Sequence, residues 1–466
     1  MRAVKKKEEI YKALVEIVGR EYVSDRKEDL YIYSRDPGLA EAHEPDFVVL
    51  PKTVEEVQRI VRMANKERIP VVPVGASLSL SGLTVPYKGG IVIDLRRMDR
   101  IIEVNRRSRY AVIEAGVTQG KLKAYLEENF PDLCHSLPEA PPSATVVGNL
   151  VIHGQGHLAQ QYGFNSSMVT GLEVVLPNGD VCRIGSCALG PYWFSLEPFP
   201  IPAGLFLGWF GATGIITKAG IRLYPKKKLR DVEVFIVEDP NLVPEVIYRV
   251  THTEMAEDVT TSAQPYPPMY QGIIMIQVYI TGDVEEELEF KRKLIWRSLK
   301  DVIDSKEGGF MALTPDVRGT LLEEPIPTLT RFADVLRGGG FVYCGAIIPV
   351  EKFPDALKRL FEIAERHQVT FAHSGRVIGR GHCMMFAFAY PFNREDAEGM
   401  ERTKRALHDS YVATLEIGGI PWKPEPSVQR TVIERMDKGV AELLKRIRSL
   451  LDPNGIMSTA NWSVEL

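Results

Sequence analysis

The sequence predicts an α+β protein with two domains and a returning tail, divided at 1–228, 229–425 and 426–466. Three observations carry this. A strand–helix–strand unit runs into a series of short strands before residue 228. Two further strand–helix–strand halves follow it. At 466 residues, 45% hydrophobic and 25% charged, the chain can bury more than one core.

Thr53 begins a helix that runs to Lys66, with Glu56 three residues on as its capping partner and Val57, Ile60, Val61 and Ala64 as an apolar stripe. Apolar runs at 47–50 and 71–74 flank it as strands. Strands are expected at 91–95, 101–104 and 110–114, then a helix from Thr118. Asn178-Gly179 predicts a type I′ hairpin turn. This half mixes parallel and antiparallel pairing.

After a basic run from Lys226 to Arg230, the pattern is strand (232–237), helix (242–252), strand (273–280) and helix (284–304). It repeats as strand (341–350), helix (352–368), two strands (369–378 and 383–390) and a helix from Arg394. One antiparallel sheet covered by helices is expected. The stretch 314–340, with Pro315, Pro325, Pro327 and three consecutive glycines, is too long for an idle connection and reads as a lid or interface. A last helix, 428–451, is expected to pack back on the first domain.

Composition narrows the function. With 57 basic and 61 acidic residues, a net −4, nothing points to a nucleic-acid partner. Glu8, Glu9 and Glu16 interrupt the basic start, which reads as an amphipathic helix and not a targeting peptide. No apolar run reaches the roughly eighteen residues of a membrane span. Five cysteines, without a CxxC pair, argue against a disulfide framework or a zinc or iron–sulfur site, and suit a reducing cytoplasm.

The segment PVVPVGASLSLSGLTVP, from Pro70 to Pro86, leads a strand into a loop of small residues whose N–H groups can converge on an anion. The same residues also suit a tight turn. No Gly-Lys-Ser/Thr and no GxGxxG is present, so a phosphate cradle here is of another kind. Downstream lie YAVIEAGVTQGKLKAYL (110–126), EAPPSATVVGNLVIHGQGH (139–157), GLEVVLPNGDVCRIG (171–185) and FGATGIITKAGIRLYP (210–225). In this order they resemble the flavin domain of the family that includes vanillyl-alcohol oxidase and para-cresol methylhydroxylase, to which the FAD-binding glycolate oxidase subunit is related. The stretch 338–396 and the ending SLLDPNGIMSTANW resemble that family's substrate domain and return segment.

The resemblance implies a two-subdomain FAD-binding domain of the para-cresol methylhydroxylase type and a substrate domain above it. By it, Gly75, Ala76, Ser77, Leu78, Ser79 and Gly82 would hold the FAD pyrophosphate, and Pro73 would belong to the cofactor site. Pro142, Ser143, Ala144, Val147, Gly148 and Asn149 would line the ring slot. Gly154, Gly156 and His157 would face the flavin, and Gly214, Ile215 and Ile216 would offer backbone groups to it. The glycines read equally as a bulged strand or tight corner.

Glu139 falls about where vanillyl-alcohol oxidase has an acidic residue near flavin N5, and reads alternatively as a solvated loop residue. His153 and His157 are four apart, but the glycines between them disfavour a metal-binding helix, which leaves hydrogen-bonding or proton-handling roles. His373 and His382 are expected on strands pointing into the site. His382 is the nearest candidate for the covalent FAD link of some relatives, or acts as a base beside Arg376 or Arg380, whose guanidinium would bind a carboxylate. The metal motif of related 2-hydroxy acid enzymes is not reproduced, so no metal is expected. The tyrosines and arginine that hold a phenolate are also missing, with Leu80-Ser81 and Trp422-Lys423 in their places.

The expected activity is an FAD-dependent dehydrogenase or oxidase taking a hydride from a hydroxyl-bearing carbon, of a 2-hydroxy acid or alcohol, to flavin N5. The alternatives are an FAD electron-relay subunit working with iron–sulfur or flavoprotein partners, and a flavin reductase of carbon–carbon double bonds. Assembly into a homo-oligomer is compatible with either class.

Overall fold

Thr53 accepts the Glu56 N–H at 3.2 Å and starts the helix Val54–Glu67, whose Val57, Ile60, Val61 and Ala64 are fully buried. Glu56 reaches back to the Lys52 N–H, closing the first turn. The computed structural model describes residues 2–263, 272–323 and 338–463, so most of the expected lid, at 324–337, lies outside the described residues.

The strands flanking that helix, Phe47–Val49 and Val71–Val74, pair parallel to Ile91–Asp94, which lies between them; Val23–Ser24 completes a four-stranded sheet. A second, antiparallel sheet runs Ile101–Asn105, Tyr110–Glu114, Ile215–Arg222, Val169–Val175, Val181–Gly185. One core joins the two, and it holds Ile91, Ile113, Leu172 and Ala219 together with Val57, Ile60, Val61 and Ala64 of the Val54–Glu67 helix. The type I′ turn is corrected. Gly179 has φ +83°, but Asn178 does not take a positive φ. Pro177 holds the first turn position near −65°, giving a three-residue loop closed by Leu176 N–H to Asp180 O and Gly179 N–H to Leu176 O, each 2.8 Å.

The second half builds an eight-stranded sheet among the described residues, in the order Gly308–Phe310, Leu229–Val237, Ile274–Gly282, Asp258–Ala263, Ala372–Ile378, Cys383–Asn393, Gly339–Ile348, Ile420–Trp422, with every pair antiparallel. Strand alternation sorts its side chains. Met384, Phe386, Phe388 and Tyr390 face the helices Phe353–His367 and Ala397–Glu416. Met385, Ala387 and Ala389 face the other way, with Phe341 and Leu80. That second face roofs the first domain.

Three expectations change. The strand Asp258–Ala263 was not anticipated, since DVTTSA is mostly polar. The helix expected over 284–304 breaks at Leu299 into Glu285–Ser298 and Lys300–Asp304. The last helix is two, Pro426–Arg435 and Lys438–Leu451, parted where Met436 turns extended and Asp437 caps the second. Val428 and Val432 pack into the second core. It is the segment after the helices that reaches the first domain: the Val71 N–H donates to Ile456 O at 2.7 Å, and the Ser458 N–H to Val71 O at 2.8 Å. Among the described residues no helix is long and apolar enough to cross a membrane.

Candidate active site

Between the sheet's open face and the first domain lies a cleft with about 1700 Å³ of space, its mouth included. Of the residues singled out in the sequence, Pro73, Gly75, Ala76, Ser77, Leu78, Ser79, Glu139, Ala144, Val147, Gly148, Asn149, Gly214, Ile215, Ile216 and Arg376 line it. Gly82, Pro142, Ser143, His153, Gly154, Gly156, His157, Arg380 and His382 are not among the lining residues.

One end is built for an anion. The backbone N–H groups of residues 75–79 donate to no other described residue, in a half-buried loop bent by left-handed Ser77 (φ +55°) and Leu80 (φ +62°). Gly75 is required by contact: a Cβ there would sit 2.4 Å from Thr145 Oγ1. Thr145 in turn caps the helix Val146–Val151 by accepting the Gly148 N–H at 3.2 Å. Beyond the loop the cleft is apolar, with Val147, Val151, Ile152, Phe206 and Phe210. Gln155 also lines it, and its buried amide has no partner among the described residues. A diphosphate-bearing cofactor with a flat ring and a polar edge fits this donor set.

The same cleft also holds buried charge. Arg376, on the strand Ala372–Ile378, is 3% exposed and points to the cleft side because Ser374 and Arg376 alternate with His373. Its Nε and Nη2 hold Asp258 at 3.1 and 2.9 Å, and Nη2 also holds Glu139 Oε1 at 2.8 Å. Burial opposes the arginine's charge, yet the two carboxylates raise its pKa above the ordinary range. Glu139 and Asp258 are themselves pushed upward, by burial first, against the pull of Arg376. Asp258 has no exposed side-chain surface, whereas 27% of the Glu139 side chain is open. Glu139 is thus the member of the cluster that can exchange a proton with a molecule in the cleft.

Lys423 faces the same cleft at 5% exposure. Its Nζ donates to Ser79 O at 2.5 Å and lies 4.6 Å and 4.9 Å from the ring centres of Tyr343 and Trp422. It has no carboxylate within ion-pair distance among the described residues. Trp422 ties its strand to the first domain by donating to Ile152 O at 2.6 Å.

What needs correction for the histidines is the expectation that they face the cleft, since none of His153, His157, His373 and His382 lines it. His153, left-handed at φ +49°, bonds Ser166 Oγ at 2.7 Å and packs against Gly208, and burial lowers its pKa. His157 sits behind the Glu139 segment, where its Nδ1 accepts the Leu137 N–H at 3.1 Å. His373 points to the helix layer, stacked on Phe386 with centroids 3.9 Å apart. Arg380 and His382 are not on strands facing the cleft. They form an exposed hairpin tip whose Gly379 and Gly381 take positive φ. Arg380 pairs with Glu254, and the tip docks on the first domain through Gly379 N–H to Ala159 O.

Gly154 and Gly156 serve packing: a Cβ would meet the Asn149 amide at 2.0 Å and Ser136 Oγ at 2.6 Å, respectively. The Gly82 N–H donates to buried Asp36. Pro142 and Ser143 are exposed. Sequence reasoning missed Asp258, Tyr343, Ser374, Met385 and Gln155. For Ser374 and Met385 the signal was available, as period-two partners of Arg376 and Ala387.

With this geometry in hand, the chain matches the FAD binding domain family over residues 45–185 and the C-terminal domain family of FAD linked oxidases over 337–461. It is 28% identical to the glycolate oxidase subunit GlcD of Bacillus subtilis (strain 168), over 97% of this chain and 96% of that one. It is 26% identical to a D-lactate dehydrogenase of Archaeoglobus fulgidus over 92% and 94%. Identity to the 4-cresol dehydrogenase [hydroxylating] flavoprotein subunit of Pseudomonas putida is 31%, over 47% and 43%. The crystal structure of p-cresol methylhydroxylase with substrate bound superposes with a TM-score of 0.84 at 20% identity, covering 98% and 96% of the two chains. That likeness establishes the fold.

Proposed function

This chain belongs to the FAD-linked oxidases and is an FAD-dependent oxidoreductase acting on hydroxyl-bearing carbon, and from that premise we propose that its substrate is a small 2-hydroxy acid. The supporting observation is Lys423, a buried ammonium in the cleft without a carboxylate partner among the described residues. Arg376 is already engaged by Asp258 and Glu139, and Arg380 is exposed, so the anionic end of the substrate falls to Lys423.

Bound FAD supplies the hydride acceptor. Residues 75–79 and the Val146–Val151 helix would hold it. Lys423 orients the substrate carboxylate. Glu139 accepts the hydroxyl proton, while Arg376 fixes its carboxylate in place and Asp258 fixes Arg376. The hydrogen on carbon leaves as hydride, the hydroxyl hydrogen leaves as a proton, and a 2-oxo acid remains.

The test is anaerobic reduction of the purified yellow protein. Bleaching by 2-hydroxy acids and not by neutral benzylic alcohols is expected. Bleaching by the alcohols alone, or by neither class, overturns the substrate assignment.

A second reading, an electron-relay subunit, draws support from two similar proteins that are named as subunits, GlcD and the 4-cresol dehydrogenase flavoprotein subunit. Co-purification separates the two readings. A brown complex with further chains favours the relay, and a yellow lone chain that turns over favours the enzyme.

A further inference from the structure

A second cavity, with about 830 Å³ of space including its mouth, lies behind the Glu139 segment. The two cavities share a wall: His135 and Leu137 line the second, Pro138 and Glu139 the cleft. The basic run Lys226, Lys227, Lys228 and Arg230 forms one side of this second cavity, and the proposed reaction uses none of it. Lys123 completes the cationic lining from the helix Gln119–Asn129.

Five cationic side chains therefore face two lining carboxylates, Glu127 and Glu257. Glu127 is shared by Lys123 at 2.7 Å and Lys226 at 3.0 Å. Glu257 lies 3.2 Å from Arg230, and Lys227 meets Asp283 at 2.7 Å. Among the described lining residues positive charge remains in excess. The two histidines add none: His135 falls to a pKa of about 4, through burial and then Lys123, and His157 is lowered by burial and then Arg230. Surface lysines ordinarily spread into water, where repulsion is weak. Gathered around one recess between two domains, they concentrate a positive potential that a multiply charged anion relieves.

We propose that this recess is a binding site for a compact polyanion, with the chemistry of a phosphate or a polycarboxylate. The ammonium groups of Lys123 and of the 226–228 run, and the guanidinium of Arg230 at the start of the second domain, would donate to it at once.

The experiment uses the full chain loaded with FAD, so that the phosphate loop of the cleft is filled. Inorganic phosphate and citrate are titrated by calorimetry at constant ionic strength balanced with sodium chloride, with acetate as monoanion control. Saturable binding of at least one polyanion is expected, and Lys226→Ala with Lys228→Ala should weaken it about tenfold or more while the flavin absorption spectrum stays unchanged. Tighter citrate binding assigns the polycarboxylate class, and tighter phosphate the phosphate class. The proposal is overturned by acetate binding as well as the polyanions, by no saturable binding, or by unchanged affinity in the variant. If the double variant does not fold, Lys228→Glu at its exposed position must give the same loss.

Discussion

One nitrogen of Arg376, Nη2, holds both Glu139 at 2.8 Å and Asp258 at 2.9 Å. Glu139 belongs to the first domain and Asp258 to the sheet above it, so the bond both spans the cleft and orients the carboxylate proposed as proton acceptor. Arg376→Lys cannot reproduce the fork, and turnover should fall about a hundredfold with FAD retained. Arg376→Gln should also lower stability, by about 3–5 kcal/mol, because the fully buried Asp258 and the half-buried Glu139 lose their cation. Thermal unfolding and flavin absorbance distinguish the two effects.

Glu139→Gln should lower the rate of flavin reduction about 10²–10⁴-fold, the usual contribution of a positioned base. The pH profile carries its own sign. Glu139 must be ionised to take a proton, and its pKa is raised. The reductive rate should therefore fall as pH drops, with its midpoint above the ordinary glutamate value of about 4.3. A rate independent of pH in that range would remove Glu139 from the role.

Lys423→Met keeps the length of the side chain and deletes the charge. For 2-hydroxy acids the KM should rise about tenfold to a hundredfold, in keeping with a lost charge-assisted bond, and Lys423→Arg should recover part of it. Stopped-flow reduction of the two variants checks this.

Acid precipitation should leave the flavin in the supernatant. His382 is exposed at a hairpin tip and does not line the cleft, so His382→Ala should keep the same flavin content as the parent. Yellow pellets that turn colourless in His382→Ala would contradict this placement.

Glu425, at the start of the helix Pro426–Arg435, has its pKa raised to about 7 by burial first and by the Asp36 charge second. A folded pKa above the unfolded value makes the native state the better proton binder. Its contribution is complete below about 4.5 and is lost as pH rises through about 7. Glu425→Gln should raise the midpoint of thermal unfolding at pH 8.5 and change it little at pH 5. Equal shifts at both values would count against the assignment.

Elements marked by local chemistry could be read from the sequence. The Thr53 cap, the stripe Val57–Ala64 and the alternating strands 383–390 rest on short-range rules, as does the small-residue loop at 75–79. What escaped depends on neighbours distant in sequence. Asp258 sits in a threonine-rich strand that is stable because Tyr279 and Arg376 flank it in register or pairing. Arg380 and His382 carry the right chemical groups, but Gly379 and Gly381 bend them into a turn. Whether a lysine at 423 meets a carboxylate or an empty cleft depends on how the sheet's outer strand settles on Ile152, and no local pattern encodes that.

The strand Val71–Val74, which leads into the anion loop, acquires one of its neighbours only from residues 456–458. Asn461 then bridges Leu83 O and Phe210 O, and Trp462 donates to Gly208 O. These partners are separated by several hundred residues. During synthesis from the N-terminus, the cofactor cradle therefore stays unfinished until the 456–462 segment has emerged. Cofactor capture becomes a late event, and a chain cut short before that segment would make the loop without the strut that steadies it.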